Sequence, residues 1–284
     1  LAESFSPISA DPLPAGSRIC CRVEYDGAGY NGWQSQPHPG VSTVQQELEA
    51  ALSKVADTPM RIHCAGRTDT GVHGHCQIIH FDAPVARAPK AWVLGANAGL
   101  PRDIRLHWAV PVPESFHARF SASARRYRYL IANTAIRPAL HNGQLTWHRF
   151  PLDAQRMHEA AAALLGEQDF SAFRAAACQS TTPMREVQSV SVFRRGDLVV
   201  MDIQANAFLH HMVRNIAGSL MAVGSGRQSP EWIAKLLRDR DRTRAADTAP
   251  PNGLYLVDVT YAPAYGLPPT PYGPLLLGTG PSRA

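Results

Sequence analysis

Long apolar runs are missing from this chain. No stretch of about eighteen apolar residues occurs in its 284 residues, so no membrane-crossing helix is expected and membranes are excluded as partners. Residues 1–17 hold no basic segment followed by an apolar one, so no signal peptide is expected, although the chain opens on Leu1 rather than Met. Cysteine is sparse: Cys20, Cys21, Cys64, Cys76 and Cys178 form no CxxC pair and no even framework, which points to reduced thiols and a cytoplasmic setting. There is no GxxxxGK[ST] phosphate loop, no HExxH and no G-x-S-x-G elbow. P-loop nucleotide chemistry, that zinc-hydrolase pattern and an elbow-borne serine nucleophile are thereby excluded. A G-x-G-x-x-G does occur at Gly27, Gly29 and Gly32. It is followed by Gln34-Ser35-Gln36-Pro37-His38-Pro39, where no helix can start, so it builds no dinucleotide cradle.

What is present is an ordinary globular composition, 45% hydrophobic and 18% charged, with a net charge of +5 that is compatible with a polyanionic partner. Ile19, Cys21, Val23 and Tyr25 alternate with Arg18, Cys20, Arg22 and Glu24, the period of a half-buried strand. Ser42 or Thr43 caps a helix to about Val55 whose inward face is Val44, Leu48, Ala51, Leu52 and Val55. Strands are expected near 77–81 and 104–110, with a helix from Pro89 to about Ala98 between them. Beyond a connector at Pro111-Val112-Pro113-Glu114 come a strand near Tyr127–Ile131, a helix from Asp153 to Leu165 and a hairpin around Arg195-Gly196-Asp197. A helix from about His210 to Val223, another from Ser229-Pro230 and a strand from Leu254 to Tyr261 follow. This order suits an α+β fold. The expected organisation is an arm at 1–17, an N-terminal lobe at 18–112, a C-terminal lobe at 113–262, and a Pro/Gly-rich tail at 263–284 that hugs the surface.

Three stretches carry chemistry. Cys64-Ala65-Gly66-Arg67-Thr68-Asp69-Thr70-Gly71-Val72-His73-Gly74 is a glycine-flanked loop that holds one guanidinium and one carboxylate two positions apart. By itself an aspartate so placed is more often a turn former than a catalyst. Arg119, Arg125, Arg126 and Arg128 lie within ten residues and interleave with Phe120, Tyr127 and Tyr129. On a strand, Arg126 and Arg128 share one face and the tyrosines the other. Guanidiniums suit phosphates and aromatic faces suit unpaired bases, while a solvated strand edge over a tyrosine core has the same pattern. His210-His211-Met212-Val213-Arg214-Asn215 opens a helix, whose N-terminus favours anions. His63, His73, His75 and His80 crowd the glycine loop with Cys64 and Cys76, but no zinc spacing is matched and strand alternation scatters them over two faces, so no metal is expected.

The glycine loop resembles the catalytic motif of tRNA pseudouridine synthases of the TruA type. The likeness extends in order through Tyr25-Asp26-Gly27, Gly32-Trp33-Gln34, Phe116-His117-Ala118-Arg119-Phe120, Arg125 to Tyr129, Asn206 to Asn215 and Gly253-Leu254-Tyr255-Leu256. The resemblance implies an isomerase in tRNA processing that converts uridine to pseudouridine in the anticodon stem-loop of tRNA, at positions 38, 39 and 40. It further implies two α+β lobes sharing a central mixed, mainly antiparallel sheet flanked by helices, a homodimer, and neither metal nor organic cofactor. It makes Asp69 the catalytic aspartate, Arg67 the arginine beside it and Tyr127 the tyrosine that stacks on the target base. Leu254 then lines the uracil pocket and Arg214 is a basic group near the reacting centre. The remaining basic groups, Arg119, Arg125, Arg126, Arg128 and His210, fall to substrate binding. Thr70 departs from the alanine frequent in this motif and adds a hydroxyl beside Asp69. The competing class is a non-catalytic RNA-binding α+β protein, which the arginine–aromatic stretch alone supports; a metal-dependent nucleotide hydrolase is a third reading.

Overall fold

In the computed structural model, the described residues are 8–36, 40–271 and 273–277; Pro37-His38-Pro39 and the ends of the expected arm and tail lie outside them. The chain forms two compact units, residues 1–123 with 258–284, and residues 124–257. It is α+β, with mixed β-structure flanked by helices.

In the first unit, β1 (Arg18–Tyr25) lies between β3 (His73–Asp82) and β4 (Ile104–Pro111), antiparallel to both, and the two-residue β2 (His63–Cys64) pairs with β3. Helix α1 (Val44–Ala56) starts at Thr43, whose hydroxyl accepts the Gln46 N–H, and α2 (Pro89–Gly99) starts with proline in its first turn. Their apolar stripes meet one face of the strands. Leu48 and Leu52 of α1 and Trp92 and Ala96 of α2 join Ile19, Cys21, Val23, Ile79, Phe81 and Ile104 in one core. The Phe81 and Trp92 rings meet edge to face at 5.0 Å.

The alternation in β1 suggests a half-buried strand, yet Cys20 and Arg22 are buried as well. The C-terminal segment covers the second face: the Cys76 thiol lies 3.6 Å from the Thr270 hydroxyl, and His75 Nε2 lies 3.1 Å from the Pro271 carbonyl. Arg22 tolerates this burial because its Nε and Nη2 donate to the His75 carbonyl at 3.2 and 2.9 Å. The same cover explains why β3 begins at His73 rather than near Gln77. A strand buried on both faces needs no polar alternation to announce it, and its His-Gly-His opening reads as loop. The described part of the expected tail has two short 3-10 turns at Pro263–Tyr265 and Leu275–Leu277.

In the second unit the strand order is β5 (Ala122–Ala132), β9 (Leu198–Ala205), β8 (Met184–Arg195), β7 (Gly166–Asp169), all antiparallel, with β6 (Thr146–Trp147) parallel to β5. The expected hairpin is β8–β9. Helices α3 (Ala154–Ala161), α4 (Met212–Gly224) and α5 (Trp232–Asp239) accompany these strands. Helix α4 is buried on nearly every side, which its Ile216, Ala217, Gly218, Leu220 and Val223 allow. A Cβ on Gly218 would stand 2.1 Å from the Asp247 carbonyl oxygen, so glycine there sets how closely the 247–249 segment approaches. Strand β10 (Leu254–Tyr261) carries the chain from the second unit back into the first.

Candidate active site

The glycine loop is held by its neighbours at nearly every residue. At its start, Ala65 N–H donates to the Ile78 carbonyl, and the buried Gln77 amide brackets Gly66: its Nε2 donates to Gly66 O at 2.6 Å while its Oε1 accepts from Gly66 N. Thr68 is buried, its hydroxyl 2.8 Å from the Tyr25 hydroxyl, and its carbonyl accepts the Trp33 N–H at 3.0 Å. Asp69, Thr70, Gly71 and Val72 close a turn in which Val72 N–H donates to the Asp69 carbonyl at 3.1 Å and Gly71 sits at φ 76°. A turn with positive φ at its third residue favours glycine there, and it presents the first residue's side chain at a fixed angle. Thr70 occupies the second position and is exposed, so its hydroxyl fits this turn as well as a methyl group.

The turn's far end rests on the loop after β1. Gly27 N–H donates to His73 Nδ1 at 3.0 Å, and Asp26 Oδ1 lies 3.0 Å from the same nitrogen. Gly71 N–H reaches the Tyr30 carbonyl, and Tyr30 is itself tied through its hydroxyl to Asp103 at 2.7 Å. Gly32, at φ 86°, brings its backbone under Thr68 and Asp69, where a Cβ would be 2.9 Å from the Thr68 carbonyl oxygen. The Gly27-x-Gly29-x-x-Gly32 segment thus binds no phosphate of a dinucleotide. It is the cradle of the Asp69 loop.

Asp69 is half-buried and Arg67 exposed on this support. Burial pushes the Cys64 thiol up to about 12, and the charges of Arg67 and Arg119 oppose that rise. Arg119 is exposed and lies 5.6 Å from the Phe120 ring centroid. The turn carrying it is fixed by Tyr261, whose hydroxyl donates to the Ala118 carbonyl at 2.6 Å, and by Phe116 packed between Tyr261 and Tyr265.

His80 on β3 fixes the same turn: its Nδ1 accepts the Ala118 N–H at 3.1 Å. Burial, then the neighbouring His117 and His63, push the His80 pKa from its ordinary 6.5 down to about 4. A lowered histidine pKa means that folding favours the neutral ring. The stabilisation is complete above about pH 6.5 and is lost as pH falls through about 4. Urea titrations from pH 7 to 4 are therefore expected to show falling stability. The fall is expected to be shallower in His80→Asn, whose side-chain oxygen keeps an acceptor near Ala118.

The second unit carries the other expected site residues. Tyr127 is buried on β5 and meets Phe208 edge to face at 5.1 Å. Arg125 Nη1 donates to the Asn206 carbonyl at 3.1 Å. Arg126 and Arg128 do share a face, and both engage the buried Asp202 of β9: Arg126 Nε at 2.6 Å and Nη2 at 3.0 Å, Arg128 Nε at 2.8 Å. One carboxylate thus holds two guanidiniums side by side. His210 and His211 precede helix α4 rather than start it, because His211 takes a left-handed backbone (φ 61°) at the cap position. His210 is exposed, with its N–H 3.4 Å from the Cys178 sulfur. Arg214 stands in the first turn and donates through Nε to the Ala249 carbonyl at 2.8 Å. Leu254 is buried at the start of β10, after Gly253, whose Cα approaches Leu130 O and Thr146 so closely that a Cβ would sit 2.6 Å from that carbonyl oxygen.

Sequence reasoning assigned no role to Gln77, His73 or Asp202. Gln77 and Asp202 are polar residues inside apolar strands, and that pattern is the signal that marks them, whereas His73 opens β3 in a stretch that reads as loop.

The first unit thus presents a carboxylate on a supported loop, and the second a strand that carries arginines and tyrosines. The family profile described as tRNA pseudouridine synthase matches residues 22–121 and 160–262, and the chain belongs to this family. It is an isomerase, and the non-catalytic alternative falls. The chain is 57% identical to tRNA pseudouridine synthase A of Idiomarina loihiensis over 261 residues, covering 92% of this chain and 99% of the relative. It is 55% identical to the enzyme of the same name from Vibrio campbellii over 260 residues (92% and 98%), and 56% identical to that of Actinobacillus pleuropneumoniae serotype 7 over 260 residues (92% and 98%). Among the described residues no helix is long and apolar enough to cross a membrane.

Proposed function

We propose that this protein converts uridine to pseudouridine in the anticodon stem-loop of tRNA, at positions 38, 39 and 40, with Asp69 as the essential group. The observation that carries the reading is the support of Asp69. Its turn is closed by the Val72 N–H, and the flanking backbone is fixed on Trp33, Tyr30 and Gln77. A carboxylate so held loses little freedom when a substrate arrives, and positioning of this kind supplies much of an enzyme's rate.

The reaction breaks the N1–C1′ bond, turns the uracil and joins C5 to C1′. The C5 hydrogen leaves as a proton and N1 gains one, so atoms and electrons balance without an external reagent. The ionised Asp69 serves by attack on C1′, by addition at C6 or by removal of a ribose proton; the geometry is compatible with all three. Arg67 orients Asp69 and helps to hold the extruded nucleotide. Tyr127 stacks on the base and Leu254 lines its pocket. Arg214, Arg119, Arg125, Arg126, Arg128 and His210 serve the phosphates, the Asp202 bridge keeping two of these guanidiniums at fixed spacing. Extruding a stacked base costs a few kcal/mol, which the stacking and phosphate contacts offset. The working form is a homodimer in the cytoplasm.

Tritium release from tRNA labelled at uridine C5 tests this reading, because the new C–C bond expels that hydrogen. Release that persists in EDTA, and is confined to labels at positions 38 to 40, is the expected result. Absence of release from any tRNA overturns it.

A further inference from the structure

The first unit holds a second group of rings beside the Asp69 loop, to which the reaction gives no task. His63 and His80 are directly paired across β2 and β3, with ring centroids 5.0 Å apart and planes within 23°. His117 stands 4.6 Å from His80 and 5.3 Å from His63, and Phe120 continues the series 4.3 Å from His117. The far end is open: Phe120 is 75% exposed, and Arg119 lies over it. Beside these rings is a cavity of about 370 Å³ lined by His63, His80, His117, Arg18, Arg61 and Asp82 among others. That volume suits a ligand of about nucleotide size.

The hydrogen bonds fix the chemistry of the rings. Nδ1 of His80 accepts the Ala118 N–H, and Nδ1 of His117 accepts the N–H groups of Arg119 and Phe120 at 3.1 and 3.3 Å. Each of these two rings is thereby a neutral imidazole with its proton on Nε2. Neutral imidazoles offer flat faces to a base and an N–H to its carbonyls or to a phosphate. The charged groups around them are Arg18, Arg61 and Arg119 against Asp82. Arg18 is engaged bidentately by Asp82, and Arg61 lies 3.4 Å from Glu49 but is largely exposed, so an exposed pair of little strength leaves it available to a phosphate. His63 directly precedes Cys64, where the Asp69 loop begins.

We propose that this cavity and its ring series bind an unpaired nucleotide of the tRNA other than the one being isomerised, its base stacked on His63 or Phe120 and its phosphate met by Arg61 and Arg119. This rests on the tRNA reading above. The site extends recognition along the strand from the Asp69 loop, and it selects substrates in which a nucleotide near the target is unpaired.

The test replaces the two exposed rings in His63→Ala/Phe120→Ala and measures tRNA affinity in an Asp69→Ala background, with KM and kcat measured where Asp69 is intact. Stacking on one base is worth enough that affinity is expected to fall by roughly 5- to 150-fold. KM should rise in step while kcat at saturation stays within about twofold. His63→Phe/Phe120→Tyr, which keeps the flat faces, should recover most of the affinity, a rescue that a merely structural role of the residues does not predict. Unchanged affinity and KM in the alanine pair, or no recovery by the ring-keeping pair, overturns the proposal. Affinity is read without catalysis, so loss of tRNA binding in the alanine pair supports this site even if tritium release fails. Normal tritium release with unaltered binding rejects the site alone.

Discussion

Asp69→Ala is expected to lower the single-turnover rate of pseudouridine formation by roughly 10²- to 10⁴-fold, the range spanned by a positioned acid–base group, or by more if the carboxylate bonds covalently to the substrate. The same variant should keep its fold. The hydrogen bond that closes the turn uses the Asp69 backbone carbonyl, which the substitution keeps, and the loop is further anchored by Gln77, Tyr25, Trp33 and Tyr30. Its affinity for tRNA should be equal or slightly higher, because a negative charge facing a polyanion is removed. Three measurements on one preparation therefore separate the roles: single-turnover tritium release, thermal unfolding and equilibrium tRNA binding. A rate within tenfold of the parent removes Asp69 from the chemistry. A large fall in unfolding temperature instead makes it a residue of the fold.

Gly27→Ala is expected to have the second-largest effect, although Gly27 touches no substrate in the proposed reaction. A Cβ there would stand 2.0 Å from the Val72 carbonyl oxygen and 2.7 Å from its carbonyl carbon, both backbone atoms that no rotamer change can move. The loop after β1 and the Asp69 turn must then separate, straining the Gly27 N–H bond to His73. Overpacking of this kind costs roughly 1–3 kcal/mol. Displacing a reacting group by about 1 Å costs on the order of 100-fold in rate. Gly29→Ala is the control, since nothing lies within 4 Å of its added methyl group. Urea unfolding and kcat measured on both variants decide the matter. If Gly27→Ala matches Gly29→Ala in both, the two loops are not coupled as the contacts indicate.

The elements were legible in the sequence wherever local chemistry was decisive. Thr43 capping α1, proline opening α2, the turn at Gly196 and the apolar residues that open β10 each have a short-range cause, and the observed bounds follow it. The Asp69 loop was legible as a glycine-flanked turn, and its likeness to a catalytic motif came only with the other matching segments in order along the chain. What the sequence concealed are features caused by residues far away in the chain. β1 reads as half-exposed because nothing near Cys20 or Arg22 announces that residues 270–271 will lie over β3 beside them. His73 and His75 read as loop because their burial is arranged by that same segment and by Asp26 and Glu24.

The sequence by itself thus determined the α+β class, the carboxylate loop and the family, because propensity, periodicity and motif spacing are properties of neighbouring residues. Only the tertiary structure decided that the Gly27–Gly32 segment is a cradle for Asp69, that Asp202 yokes Arg126 to Arg128, and that three histidines from separate segments stand together beside a cavity. The physical reason is the same in each case. These contacts join residues tens of positions apart, and their geometry exists only after the strands have paired and the core has closed.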